Sequence, residues 1–103
     1  MDYIQVKWIH SHPDEPILLF SEVDENGWET RKLEIFADNR VGFADATEAT
    51  TLTNTKLSRE PLPSLTAISS DPQFQPVEIT KDEFERLWIL RRSPLSSELH
   101  AGV

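Results

Sequence analysis

The dipeptide Asn26-Gly27 lies between two apolar-rich runs, and this junction constrains the fold more than any other feature of the chain. Asn-Gly supplies the positive φ angles that tight hairpins demand, so Ile17 to Val23 and Trp28 to Phe36 are expected to pair as antiparallel strands. The second of these places Leu33 and Ile35 on one face and Lys32 and Glu34 on the other. A period of two also runs through Ile4, Val6 and Trp8 against Tyr3, Gln5 and Lys7, which makes the N-terminal segment a strand. Pro13 and Pro16 cannot sit inside a ladder, so residues 11–16 read as a loop. Ala37 to Arg40 forms a second tight turn, and Val41 to Ala44 a short fourth strand. Successive strands joined by short turns pair as neighbours, which gives an antiparallel meander.

The second half reads differently. Asp45 to Glu60 is rich in Thr and poor in large apolar residues, so 46–60 is expected to be a flexible loop. Ser64 is placed to cap one or two helical turns through Ser69 that bury Leu65 and Ile68. Val77 to Ile79 reads as a short extended piece, a possible fifth strand. Thr80-Lys81-Asp82-Glu83 has the spacing of a capping box. Phe84, Leu87 and Trp88 follow at helical spacing, with Arg91 and Arg92 at the end where the helix dipole is negative. The expected helix, residues 81–92, is stopped by Pro94. The fold class expected is α+β, a four- to five-stranded antiparallel meander with this helix packed on one face. Residues 1–92 form the domain and 93–103 a disordered tail. The expected core is Ile4, Val6, Trp8, Leu18, Phe20, Leu33, Ile35, Phe43, Leu65, Ile68, Phe74, Ile79, Phe84, Leu87 and Trp88. Leu19 and Phe20 exchange faces if the register slips by one.

Composition narrows the function. Among 103 residues, 18 acidic against 10 basic side chains give a net charge of −8. Most of the excess lies in residues 1–45. Such a surface repels phosphate backbones, which disfavours direct nucleic-acid binding, and it attracts basic proteins. There is no cysteine, which excludes disulfides, thiolate metal sites and cysteine nucleophiles and fits a reducing cytoplasm. No apolar run is long enough to span a membrane, and Met1-Asp2-Tyr3-Ile4 lacks the basic start of a secretory signal.

Groups able to do chemistry crowd together only in Trp8 to Ile17. His10, His12 and Asp14 could ligate zinc or iron if this loop folded back, or support acid–base chemistry with Glu15. The prolines and carboxylates also explain the segment as a rigid surface turn with local hydrogen bonds. No glycine-rich phosphate loop and no nucleophile elbow is present. No cofactor and no catalytic residue is therefore expected. Trp28, beside Asp24, Glu25 and Glu29, suits either a protein-binding anchor or one end of the core.

Several segments are shared with a known family. They include Trp8-Ile9-His10, Pro13 to Leu19, Ser21-Glu22, Arg31 to Phe36, Gly42-Phe43-Ala44, Pro63-Ser64-Leu65, Asp71 to Phe74, and Ile79 to Trp88. On these the chain resembles a family of small bacterial single-domain proteins classed as a domain of unknown function. The likeness covers nearly residues 2–90 and departs in 46–60 and 93–103. It brings no catalytic or binding residue with it, and by size and type it is similar to immunity or antitoxin-like proteins. The expected function is a non-enzymatic acidic inhibitor of a basic partner such as a nuclease toxin. Asp14, Glu15, Glu22, Asp24, Glu25 and Glu29 would meet its cations and Trp28 would anchor it. The alternatives are a small enzyme centred on His10, His12 and Asp14, and a regulatory or structural interaction module.

Overall fold

The computed structural model describes residues 1–92. Five strands form one antiparallel sheet: β1 (Asp2–Trp8), β2 (Leu18–Val23), β3 (Glu29–Ile35), β4 (Val41–Ala44) and β5 (Phe74–Ile79). Their spatial order is β4-β3-β2-β1-β5. Helix α1 (Leu65–Ser69) precedes β5, and α2 (Lys81–Ile89) follows it. The expected α+β class and meander hold, and the short extended piece is a full fifth strand that pairs with β1.

The turns form as their residues dictate. Gly27 has φ +85° and its amide donates to Asp24 O, while Asp24 Oδ1 accepts the amides of Asn26 and Trp28 at 2.9 Å each. The hairpin closes as a three-residue loop with its positive-φ residue last. Asn39, φ 71°, repeats that geometry between β3 and β4.

Helix α2 has its capping box: Thr80 Oγ1 accepts the Glu83 amide and Glu83 reaches back to the Thr80 amide. It ends at Ile89, short of residue 92, because the Leu90 and Arg91 amides turn back onto Leu87 O and Trp88 O and tighten the last turn. Its apolar stripe covers one face of the sheet. Phe84 packs on Tyr3 at 5.3 Å between ring centroids, and Trp88 meets Phe43 edge-on at 5.9 Å. Leu18, Phe20, Leu33 and Ile35 complete this core. Burying each such side chain contributes about 1.5–3 kcal/mol.

Of the β1 residues expected in the core, Ile4 is buried as expected, but the face and the burial of Val6 and Trp8 require a correction. Tyr3, not Ile4, Val6 and Trp8, faces α2; those three alternate to the opposite face, where Val6 and Trp8 are half-buried. Leu65, Ile68, Phe74, Ile79 and Leu87 are also half-buried. Tyr3 can lie inside because its hydroxyl finds a carboxylate partner, Glu22. The opposite face is covered in part by α1, whose N-cap Ser64 accepts the Ala67 amide at 3.1 Å as expected.

Both sheet edges are closed. The Ile9 amide bonds Gln73 O, which sets the alternation so that Pro76 stands at an outward-facing amide position of β5. At the other edge Thr50 exchanges hydrogen bonds with Phe43 through its amide and its hydroxyl, and Ala44 bridges to Ala49. From Thr50 a chain of hydroxyls runs to Thr53 at 2.6 Å and on to the buried Thr55 at 2.8 Å. This chain lies against Gly42. A Cβ there would sit 2.0 Å from Thr55 Oγ1 and 2.5 Å from Thr53 Oγ1. Gly42→Ala is expected to cost about 1–3 kcal/mol in urea unfolding. A loss below about 0.5 kcal/mol would mean that residues 50–55 do not pack against β4 in this way. The tail expected at 93–103 lies outside the described residues.

Candidate functional site

A bulge in β3 decides which charged residues are free to act. The β2–β3 register shifts between Glu22 and Val23, so that Glu22 faces Arg31 while Val23 faces Glu29. Arg31 and Glu29 would share a face in an unbroken strand, and the extra residue, Thr30, sends them to opposite faces.

On the α2 side, Arg31 is the hub of a network. Its Nε and Nη2 donate to Glu22 Oε1 and Oε2 at 2.8 and 2.5 Å, and it also pairs with Glu85 of α2. Tyr3 Oη donates to Glu22 Oε2 at 2.9 Å, and Thr30 Oγ1 to Glu22 Oε1 at 2.7 Å. The guanidinium lies 4.9 Å from the Phe84 ring centroid and 5.1 Å from that of Trp88. On the other face, Glu29 accepts from Ser21 Oγ at 2.6 Å, from the Ser58 amide at 2.8 Å and from Lys32 at 3.1 Å. Glu22 and Glu29 are 7% and 5% exposed. Both were expected at a partner-binding surface; both are instead buried and paired within the molecule, so neither can meet an external cation. The cause is pairing across the folded sheet, with Arg31 for Glu22 and with Ser21, Ser58 and Lys32 for Glu29.

The remaining acidic residues divide between the two ends of the sheet. Asp14 and Glu15 lie in the β1–β2 loop, beyond the Lys7–Leu18 pair; Asp24 and Glu25 lie past the Asp2–Val23 pair. The strands separate them by roughly 17 Å at 3.3 Å per residue. The four therefore form two clusters rather than one. The Asp24–Glu25 end is the richer. Asp2 from β1 and Glu78 from β5, opposite Ile4, join them around a hollow of about 230 Å³. Trp28, 43% exposed, stands in the same turn. Sequence reasoning missed Glu78 because only the β1–β5 pairing brings it there, and missed Asp2 although the β1–β2 pair sets it opposite Val23, next to Asp24.

His10 is held by its own loop. Its Nε2 lies 2.7 Å from Pro16 O, and its Nδ1 accepts the His12 amide at 2.9 Å. The ring packs edge-on to Trp8 at 4.5 Å, and the His12 ring stacks beyond it. Both nitrogens serve the backbone, which leaves His10 no lone pair for a metal while the loop keeps this shape. Among the described residues no three His, Asp or Glu side chains are grouped to hold a metal ion.

The chain belongs to the family described as Domain of unknown function (DUF6881), whose model matches residues 2–93. The resemblance read from the sequence is thus to a family without established function. No curated protein and no solved structure matches the chain.

Hydrogen bonds from Arg31 hold the Glu22 carboxyl at about 2, below its ordinary 4.5. A carboxyl whose pKa falls on folding adds stability that is fully present above its unfolded value and vanishes as pH drops through the folded one. Glu22 therefore withdraws its contribution between pH 4.5 and about 2. Glu22→Gln is expected to cost about 3 kcal/mol at neutral pH and to flatten the decline of urea stability over that range. A variant that keeps the parental acid decline would assign that decline to other carboxyls.

Proposed function

We propose that this is a non-enzymatic acidic binding protein, acting in the bacterial cytoplasm as an immunity or inhibitor protein that neutralises a basic partner such as a nuclease toxin. The observation that carries the reading is the end of the sheet where Asp2, Asp24, Glu25 and Glu78 converge from three separated segments around one hollow. Beside it Trp28 keeps 43% of its surface exposed, an aromatic anchor next to a charged rim. Helix α2 begins at the same end, with Asp82 and Glu83 in its first turn. The net charge of −8 adds a long-range field that speeds encounter with a cationic protein. Binding is favoured over catalysis because the one loop with catalytic residue types uses both nitrogens of His10 to hold its own backbone.

The reading is tested on a basic protein encoded beside this chain, by stopped-flow association at low and high salt. The association rate is expected to fall at least tenfold from about 20 to 500 mM salt. Asp24→Lys with Glu25→Lys should slow it at least tenfold at low salt, and Trp28→Ala should raise the dissociation rate. Binding indifferent to ionic strength and to both charge reversals would overturn the reading.

A further inference from the structure

We propose that the sheet face opposite α2 receives one extended segment of the basic partner, seating a large apolar side chain beside an arginine or lysine. The inference rests on the acidic end being the binding surface proposed above, and adds to it the part of the partner that is recognised.

A groove of about 370 Å³ runs between this face and α1, walled by Val6, Leu19, Leu62, Ile68 and Phe74. None of the five belongs to the core beneath α2. Its ionic groups are engaged: Glu29 holds Ser21, Lys32 and the Ser58 amide, Lys32 also donates to Lys56 O at 2.8 Å, and Asp71 Oδ1 accepts the Gln73 amide at 3.0 Å. The groove thus offers chiefly apolar surface, and what fills it gains by leaving water.

Charge selects the occupant. Ile4, Leu62 and Pro63 wall both this groove and the hollow rimmed by Asp2, Asp24, Glu25 and Glu78. No Lys or Arg among the described residues lines that hollow. Shared walls put the two sites one or two residues of extended chain apart, about 3–7 Å. An apolar residue in the groove therefore carries its neighbour into a negative field. An arginine or lysine fits there, its aliphatic stem lying on Pro63 and Leu65 and its charge meeting the carboxylates. A second copy of this chain would bring its own charge of −8 against them. The segment must lie across the face, because Pro76 on β5 and Thr50 at β4 close both edges to an added strand.

The test is fluorescence anisotropy with a labelled nine-residue peptide carrying leucine and arginine two positions apart. Two control peptides replace the leucine by serine or the arginine by glutamate. The parent peptide should bind at least tenfold more tightly than either control. Ile68→Glu should weaken it at least tenfold, as should Asp24→Lys with Glu25→Lys, each with urea stability checked; Ile68→Ser replaces Ile68→Glu if the latter unfolds. If the charge reversals weaken binding and the groove variants do not, the groove assignment fails and the acidic surface stands. If neither matters, both fail. Equal binding of the leucine and serine peptides overturns the groove, as does a dimer in sedimentation that Ile68→Glu dissolves.

Discussion

The Arg31 guanidinium joins the two layers of the molecule. It lies between Glu22 on the sheet and Glu85 on α2, and faces the rings of Phe84 and Trp88. The ion pairs with Glu22 and Glu85 keep it charged, and the two rings shield it from water. Taking these charges out of water is costly, and the network is tolerable because nearly every donor and acceptor in it has a partner. Glu22 alone accepts from Arg31, Thr30 and Tyr3. A helix of nine residues would be marginal in isolation. Here the capping box starts it, the aromatic stripe buries it, and Arg31 fixes its lateral position.

That joint makes the sheet two-sided. The face beneath α2 holds the fully buried Leu33 and Ile35, against the fully buried Phe84 of the helix. The other face carries half-buried Val6, Leu19 and Phe74 under a five-residue helix, beside the buried Ile4, Val23 and Ala44, with Glu29 and Lys32 pinned at its floor. The bulge at Thr30 creates this division, since it sends Arg31 to one face and Glu29 to the other. The two faces are thus unequally covered, one by a nine-residue helix and the other by a five-residue one.

Much of this was legible in the sequence where the cause is local. The Asn26-Gly27 turn, the four strands of the meander, the Ser64 cap and the Thr80–Glu83 capping box all arise from residues within a few positions of one another. What escaped depends on distant partners. Tyr3 and Ile4 are both buried, on opposite faces, and the Tyr3–Glu22 hydrogen bond that lets Tyr3 lie beneath α2 spans the β1–β2 pair. Glu22 and Glu29 looked like surface charges because Arg31, Ser58 and Lys32 are positioned by the folded sheet. The acidic site was half visible for the same reason: Asp24 and Glu25 announce themselves in the turn, Asp2 joins them across the β1–β2 pair, and Glu78 meets them only through β5.

The central claim is that the face beneath α2 carries more of the fold's stability than the groove beside α1. The most direct measurement compares the urea stability of two variants, one from each face. Phe84→Ala, on the α2 side, should cost about 3–5 kcal/mol or prevent folding, because it empties a fully buried ring site. Ile68→Ala, on the half-covered side, should cost less than about 1 kcal/mol, because that side chain already meets solvent. Equal losses, or a larger loss at Ile68, would contradict the account.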